Sequence, residues 1–129
     1  MIVLDSSAAV DYLAREQAAI WVEEQLRADP DLHAPHLLDV EVAGAFRRFE
    51  REGYVTAARA QEALLDLAEL RVSRYPHMPL LDRIWELRFN LSASDSAFAA
   101  LAEALDADLV TTDLRLARAP GIRARIVSP

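Results

Sequence analysis

Four acidic side chains, Asp5, Glu41, Asp95 and Asp113, stand where a strand or loop hands over to a helix, or on a helix flank beside apolar residues. Carboxylates placed this way are candidates for holding a cation. The outer pair carries the sharpest signal. Met1-Ile2-Val3-Leu4-Asp5-Ser6-Ser7 and Asp108-Leu109-Val110-Thr111-Thr112-Asp113 each read as a short apolar strand ending in an acid that opens a helix. Two carboxylates about 4 Å apart repel by about 4 kcal/mol at an effective dielectric of about 20, so a gathered cluster binds a cation, takes up protons or spreads apart. With no cysteine and no well-spaced histidine pair, the donors are all oxygen, which suits Mg²⁺ or Mn²⁺ better than zinc.

Each acid also has a structural reading. Asp5 and Asp113 fit as helix N-caps, and Ser92-Ala93-Ser94-Asp95 fits a capping box with Ser92 as the cap. Glu41 is harder to explain that way, because Leu38 and Ala45 lie within about 60° of it on a helical projection and place it at the edge of a buried stripe. A buried carboxylate needs compensation, and Arg48 is the nearby candidate for an ion pair. His33, His36 and His77 read as structural or surface residues, and Trp21, Phe46, Phe49, Trp85 and Phe98 as packing at core-like helical positions.

The elements that must position these acids follow from periodicity and punctuation. A strand at 2–4 leads into helices around 8–13 and 20–26, stopped by Asp29-Pro30-Asp31. A short strand near 33–35 precedes a helix over 38–52 closed by Gly53, and Thr56 caps the next helix, which runs to about 69. A strand over 70–75, a helix over 80–89, a long alanine-rich helix over 92–107, a strand at 109–111, a short helix at 114–118 and a closing strand at 125–127 complete the order β-α-α-β-α-α-β-α-α-β-α-β. Strands separated by helical crossovers imply an α/β fold with a short, mainly parallel central sheet between helical layers, and ligands in such sheets bind beyond the carboxyl ends of the strands.

At 129 residues the chain fits one domain, 1–129, and nothing in it reads as a repeat or linker. No apolar run reaches the length of a membrane span, and the N-terminus lacks the features of a signal peptide, so a cytoplasmic protein without membrane contact is expected. The net charge of −7 argues against coating nucleic acid by bulk electrostatics and leaves only a local basic patch for that purpose. All 14 basic residues are arginine, which excludes Schiff-base chemistry and phosphate-binding lysines.

The chain resembles PIN-domain proteins, and specifically the VapC toxins of bacterial toxin–antitoxin pairs. The likeness rests on the opening IVLDSSA, on LLDVEVAGAFRR around Glu41, on LSASDSAFAALAEALDADLVTTD carrying Asp95 and Asp113, and on the short terminal strand. It implies a three-layer PIN-like α/β/α fold and an Mg²⁺- or Mn²⁺-dependent endoribonuclease that cuts transfer or ribosomal RNA and so inhibits translation. It also implies that Asp5, Glu41, Asp95 and Asp113 form the metal-holding quartet, with Asp5 and Asp95 as direct ligands and Glu41 and Asp113 holding metal-bound waters or a second ion. Ser6, Thr112 and Arg115 fall close by as contacts to substrate or metal-bound water. Arg47, Arg48 and Arg118 join Arg115 as candidates for phosphate. The implied partners are an RNA substrate, a VapB-like antitoxin laid into a groove between the Trp21 and Phe46 helices, and a second copy in a homodimer. Ser94 departs from the aromatic residue that many relatives place before the third acid.

A haloacid-dehalogenase-like phosphatase also starts with a strand ending in Asp, but it needs a second Asp where Ser7 stands, and a lysine. The remaining alternative is a PIN-like protein with weak catalysis whose main role is binding its antitoxin.

Overall fold

The computed structural model describes all 129 residues. Five short strands, β1 (Ile2–Leu4), β2 (Leu32–Pro35), β3 (Val72–Tyr75), β4 (Asp108–Val110) and β5 (Ile126–Val127), form one sheet in the order β3-β2-β1-β4-β5, parallel at every pairing. The helices are α1 (Ser6–Ala14), α2 (Ala19–Ala28), α3 (Leu37–Arg51), α4 (Ala57–Glu69), α5 (Leu81–Glu86), α6 (Ala93–Leu105) and α7 (Leu114–Ala117), and a 3₁₀ turn (Met78–Leu80) leads into α5. The order and the parallel sheet are those the sequence pattern predicts.

The central strands are apolar without alternation because both of their faces are covered. All three residues of β1 are buried, as are Leu109 and Val110 of β4. Helix α6 packs on β1, β2 and β4, and its run of Ala97, Ala99, Ala100 and Ala102 is buried along with Phe98 and Leu101. Small side chains let this helix lie close to the strands, which fixes the height of its first turn above the sheet. Phe98 is completely buried. Truncating it leaves a void that the alanine-rich surroundings fill poorly, so Phe98→Ala is expected to cost about 3–5 kcal/mol in urea unfolding.

Local signals set the helix ends. Thr56 caps α4 by accepting from the Arg59 amide at 3.1 Å. Gly53 follows α3 with φ +79°, a conformation that favours glycine. Arg83 locks α5 to its neighbours, donating through Nε and Nη2 to Glu103 at 2.7 and 3.1 Å and through Nη2 to the Gly121 carbonyl at 2.8 Å.

Several expectations need correction. Trp85 is not a core residue: it is 66% exposed, because α5 turns Leu80, Ile84 and Leu87 inward instead. Trp21 and Phe49 are half-buried, and only Phe46 and Phe98 of the aromatic set are fully enclosed. The helix expected over 80–89 is the shorter α5, since turns replace regular helix from Leu87 to Asn90. His33 is structural as expected, buried on β2 between the Tyr75 hydroxyl at 2.6 Å and Asp31 at 2.9 Å.

Candidate functional site

In the order β3-β2-β1-β4-β5 the chain builds outward from β1 in one direction, then returns to add β4 and β5 on the other side. The switch point therefore lies between β1 and β4, and the crevice beyond their carboxyl ends is where open parallel sheets bind ligands. Asp5 and Asp113 follow these two strands. The backbone joins them closely, the Asp5 amide donating to the Val110 carbonyl at 3.0 Å.

Asp5 is only 2% exposed. Its Oδ2 receives every hydrogen bond the protein gives it: from the Ser7 amide at 3.3 Å, from the Ser7 hydroxyl, and from the Thr111 hydroxyl at 2.7 Å. Oδ1 receives none. The two hydroxyls lie 3.0 Å apart, Ser7 Oγ accepts from the Thr112 amide at 3.1 Å, and Thr111 Oγ1 accepts from the Asp113 amide at 3.1 Å. A continuous polar chain thus runs from the buried carboxylate to the turn that carries Asp113. Asp5 caps α1 as its sequence position implies, but the cap engages one oxygen and leaves the other uncommitted.

Glu41 is half-buried on α3, and of the two alternatives open to it the Arg48 ion pair does not form. The Ser6 hydroxyl instead donates to Glu41 Oε1 at 3.1 Å. Asp95 lies in the first turn of α6, where Ser92 caps the helix by accepting from the Asp95 amide at 3.1 Å. Only this half of the capping box is made, and the Asp95 carboxylate accepts no hydrogen bond. Thr112 contributes its amide to the polar chain; its hydroxyl has no hydrogen bond within the protein.

Burial pushes the Asp5 carboxyl above the ordinary aspartate range, opposed by the Ser7 and Thr111 hydroxyls and reinforced by the negative charge of Asp95. Glu41 is raised by burial first, held back by Ser6, and raised again by the charges of Asp5 and Asp95. The charge of Asp95 thus acts on both Asp5 and Glu41. Asp113 is engaged elsewhere: its carboxylate caps α7 through the Arg115 amide at 2.8 Å and meets the Arg115 guanidinium at 3.4 Å. No three of the acidic side chains have drawn together to the separation that would ligate one ion. One buried, oriented carboxylate with a free oxygen, with the Glu41 and Asp95 carboxylates on separate helices, makes an all-oxygen donor set that fits a hard divalent cation.

The raised carboxyls predict a pH dependence of stability. A carboxyl whose folded value exceeds its unfolded one favours folding while protonated, so its contribution declines as pH rises from the unfolded value, 3.8 for Asp5 and 4.5 for Glu41, through the raised one. Glu103 and Asp108 are lowered by arginine partners and act with the opposite sign. The readout is therefore the difference from Glu41→Gln: without divalent ions, the variant's melting temperature is expected to gain on the wild type from pH 4 to pH 8.

Sequence reasoning placed Ser6 and Thr112 beside the acids but missed Ser7 and Thr111, the hydroxyls that hold Asp5. The available signal was the hydroxyl two residues after Asp5, the position whose amide an N-capping aspartate accepts.

The PIN domain family profile matches residues 2–122. Among known proteins, the VapC ribonuclease Mb0985 of Mycobacterium bovis is 47% identical over 116 residues, covering 90% of this chain and 88% of that protein. Ribonuclease VapC1 of Mycobacterium tuberculosis is 42% identical over 125 residues, covering 96% and 94%. PAE2754 from Pyrobaculum aerophilum superposes with a TM-score of 0.72 at 24% identity, over 97% of this chain and 81% of that one. A chain of VapBC2 from Rickettsia felis, solved bound to a DNA fragment from its promoter, gives 0.69 at 17% identity, over 99% and 98%. The parallel five-stranded fold, the acids at its switch point and these likenesses agree: the chain belongs to the PIN-domain family, among the VapC ribonucleases.

Proposed function

We propose that this chain is a divalent-metal-dependent endoribonuclease, the toxin of a toxin–antitoxin pair, which cleaves structured RNA of the transfer or ribosomal class in the cytoplasm and thereby inhibits translation. The observation that carries this reading is the buried Asp5 carboxylate at the β1–β4 switch point of a PIN fold, held through Oδ2 with Oδ1 uncommitted. When bound, Mg²⁺ or Mn²⁺ supplies a water acidic enough to attack a phosphodiester at neutral pH and positive charge against the phosphate. Asp5 and Asp95 would be the direct ligands, and Glu41 and Asp113 would hold metal-bound water or a second ion.

The remaining chemistry belongs to the protein. Ser7 and Thr111 fix the Asp5 carboxylate, Ser6 holds Glu41, and the exposed Arg115 and Arg118 are candidates for the flanking phosphates. Arg47 and Arg48 are weaker candidates, being on the half of α3 beyond Glu41. A VapB-like antitoxin is the natural protein partner, and VapBC and FitAB assemblies are among the solved structures of the same fold. We assign the partner segment to a depression lined by Trp21 and Phe49 together with Asp11, Glu16 and Gln17, and two copies of the chain are proposed to pair with each other.

The test is to induce the wild type and Asp95→Asn separately in a bacterial host and map new 5′ ends across total RNA. Ends at a few defined sites with the wild type alone support the nuclease and name its target. Identical maps favour a protein that chiefly binds its antitoxin.

A further inference from the structure

Helix α3 carries Gly44 at the middle of its 15 residues. Glycine inside a helix costs stability relative to alanine, because more backbone freedom is lost and no side chain packs in return. Neither usual structural reason for a glycine applies here. The backbone at Gly44 is helical, unlike the left-handed Gly53 and Gly121. A Cβ on Gly44 would meet nothing within 4 Å beyond the backbone of its own helix. The space beside it is left to something outside the chain.

Its neighbours on the helix indicate what that is. Residues three and four apart share a face, with about 5–6 Å between their Cβ atoms, so Glu41, Gly44, Arg48 and Arg51 form one line along α3. At the start of the line Glu41 accepts from Ser6, the residue after Asp5. Arg48 and Arg51 are exposed and in no ion pair, although Glu52 lies four residues beyond Arg48. Arg47 instead lines a depression between α3 and α4 with Gln61 and Leu64. The helix dipole accounts for cations in the last turn of α3, but not for bare backbone between them and Glu41. At 1.5 Å per residue, Arg48 stands about 10 Å along the axis from Glu41.

We propose that this line is the track of the RNA strand: its backbone crosses α3 at Gly44, and Arg48 holds a phosphate beyond the one at the acids, with Arg51 further out. The track rests on the nuclease reading above and names how that substrate lies on the protein. A polyanionic backbone needs close approach and positive charge, and the line offers both in turn. In a chain of net charge −7, arginines leading away from an acidic crevice supply the local basic patch that RNA requires. A protein segment takes its affinity from buried aromatic and aliphatic anchors, and from Glu41 to Arg51 this line presents none.

The test is retention of total bacterial RNA on filters by the Asp95→Asn chain, which leaves the RNA whole, with second substitutions added to it. Gly44→Leu is expected to weaken binding on the order of tenfold and Gly44→Ala severalfold, while both raise the melting temperature by about 2–6 °C as better helix formers. Arg48→Gln should weaken binding and reduce the slope of log affinity against log salt by about 0.7–0.9, the signature of one lost phosphate contact. Unchanged affinity in Gly44→Leu, or an unchanged salt slope in Arg48→Gln, overturns the track and leaves the nuclease reading intact. A lower melting temperature in Gly44→Ala shows that the fold itself needs the glycine and overturns the premise. A changed molar mass in Gly44→Leu with RNA affinity unaltered makes Gly44 a protein contact instead. Retention that depends on Gly44 and Arg48, in a protein whose wild type cleaves no RNA, keeps the track and removes the nuclease.

Discussion

Asp95→Asn is expected to lower RNA cleavage by about 10³-fold or more while leaving the melting temperature within about 3 °C of the wild type. The activity loss follows from charge: the amide keeps the shape of the side chain but removes the negative charge that acts on both Asp5 and Glu41. Two small stability effects oppose each other. Losing an acid from the first turn of α6 costs about 0.3–1 kcal/mol of favourable interaction with the helix dipole, while Asp5 and Glu41 are relieved of a repelling charge. Ser92 still caps the helix, since its hydroxyl accepts from the backbone of residue 95 and not from the carboxylate. Asp113→Asn should cost less activity than Asp95→Asn, because Asp113 is committed to the α7 cap and Arg115. Equal rates from Asp95→Asn and wild type on the same RNA would falsify the assignment of Asp95 as a metal ligand.

The ordering of these effects shows what the sequence makes legible. Asp5 and Asp113 stand out because a run of apolar residues ending in an acid is a local signal, and a parallel sheet brings such ends to one edge. Glu41 is visible through its place beside Leu38 and Ala45 on a helix, and its compensation is where inference from spacing fails. Arg48 is near in sequence, yet the group that meets Glu41 is Ser6, 35 residues away, presented by the first turn of α1. Thr111 and Ser7 are separated by 104 residues and meet only because β1 pairs with β4. Their role is a property of strand pairing, to which the local pattern around either residue is blind.

Trp85 illustrates a second limit. The segment from Met78 to Phe89 has two stripes of helical spacing, Leu80-Ile84-Leu87 and Met78-Leu81-Trp85-Phe89, and periodicity alone does not say which faces the core. The side with the larger residues is the natural choice for burial on hydrophobicity. The observed choice is set by geometry: α6, lying low on the sheet through its alanines, leaves room for leucine and isoleucine beneath α5, and Arg83 fixes that orientation.

Thr111→Val is expected to lower cleavage by about 10- to 100-fold, the usual range when a residue orienting a metal ligand is lost. The side chains are nearly isosteric and residue 111 is fully buried, so the change removes chemistry without opening a cavity. Lost are the donor to Asp5 Oδ2 at 2.7 Å and the acceptor for the Asp113 amide at 3.1 Å, for a stability cost of about 1–3 kcal/mol. A structural role alone accounts for the stability cost, so the deciding readout is metal affinity, measured as the Mn²⁺ concentration giving half-maximal thermal stabilisation. The Thr111 hydroxyl opposes the upward shift of the Asp5 carboxyl, and removing it makes that carboxyl harder to ionise. Protons then compete with the cation up to a higher pH, so Thr111→Val should need roughly tenfold more Mn²⁺, with the deficit largest at the acidic end of the range. Thr111→Ser restores the hydroxyl and should restore both affinity and cleavage. If the valine variant binds Mn²⁺ as the wild type does at every pH, the hydroxyl pair serves the fold alone, and the orientation of Asp5 must come from its place as the cap of α1.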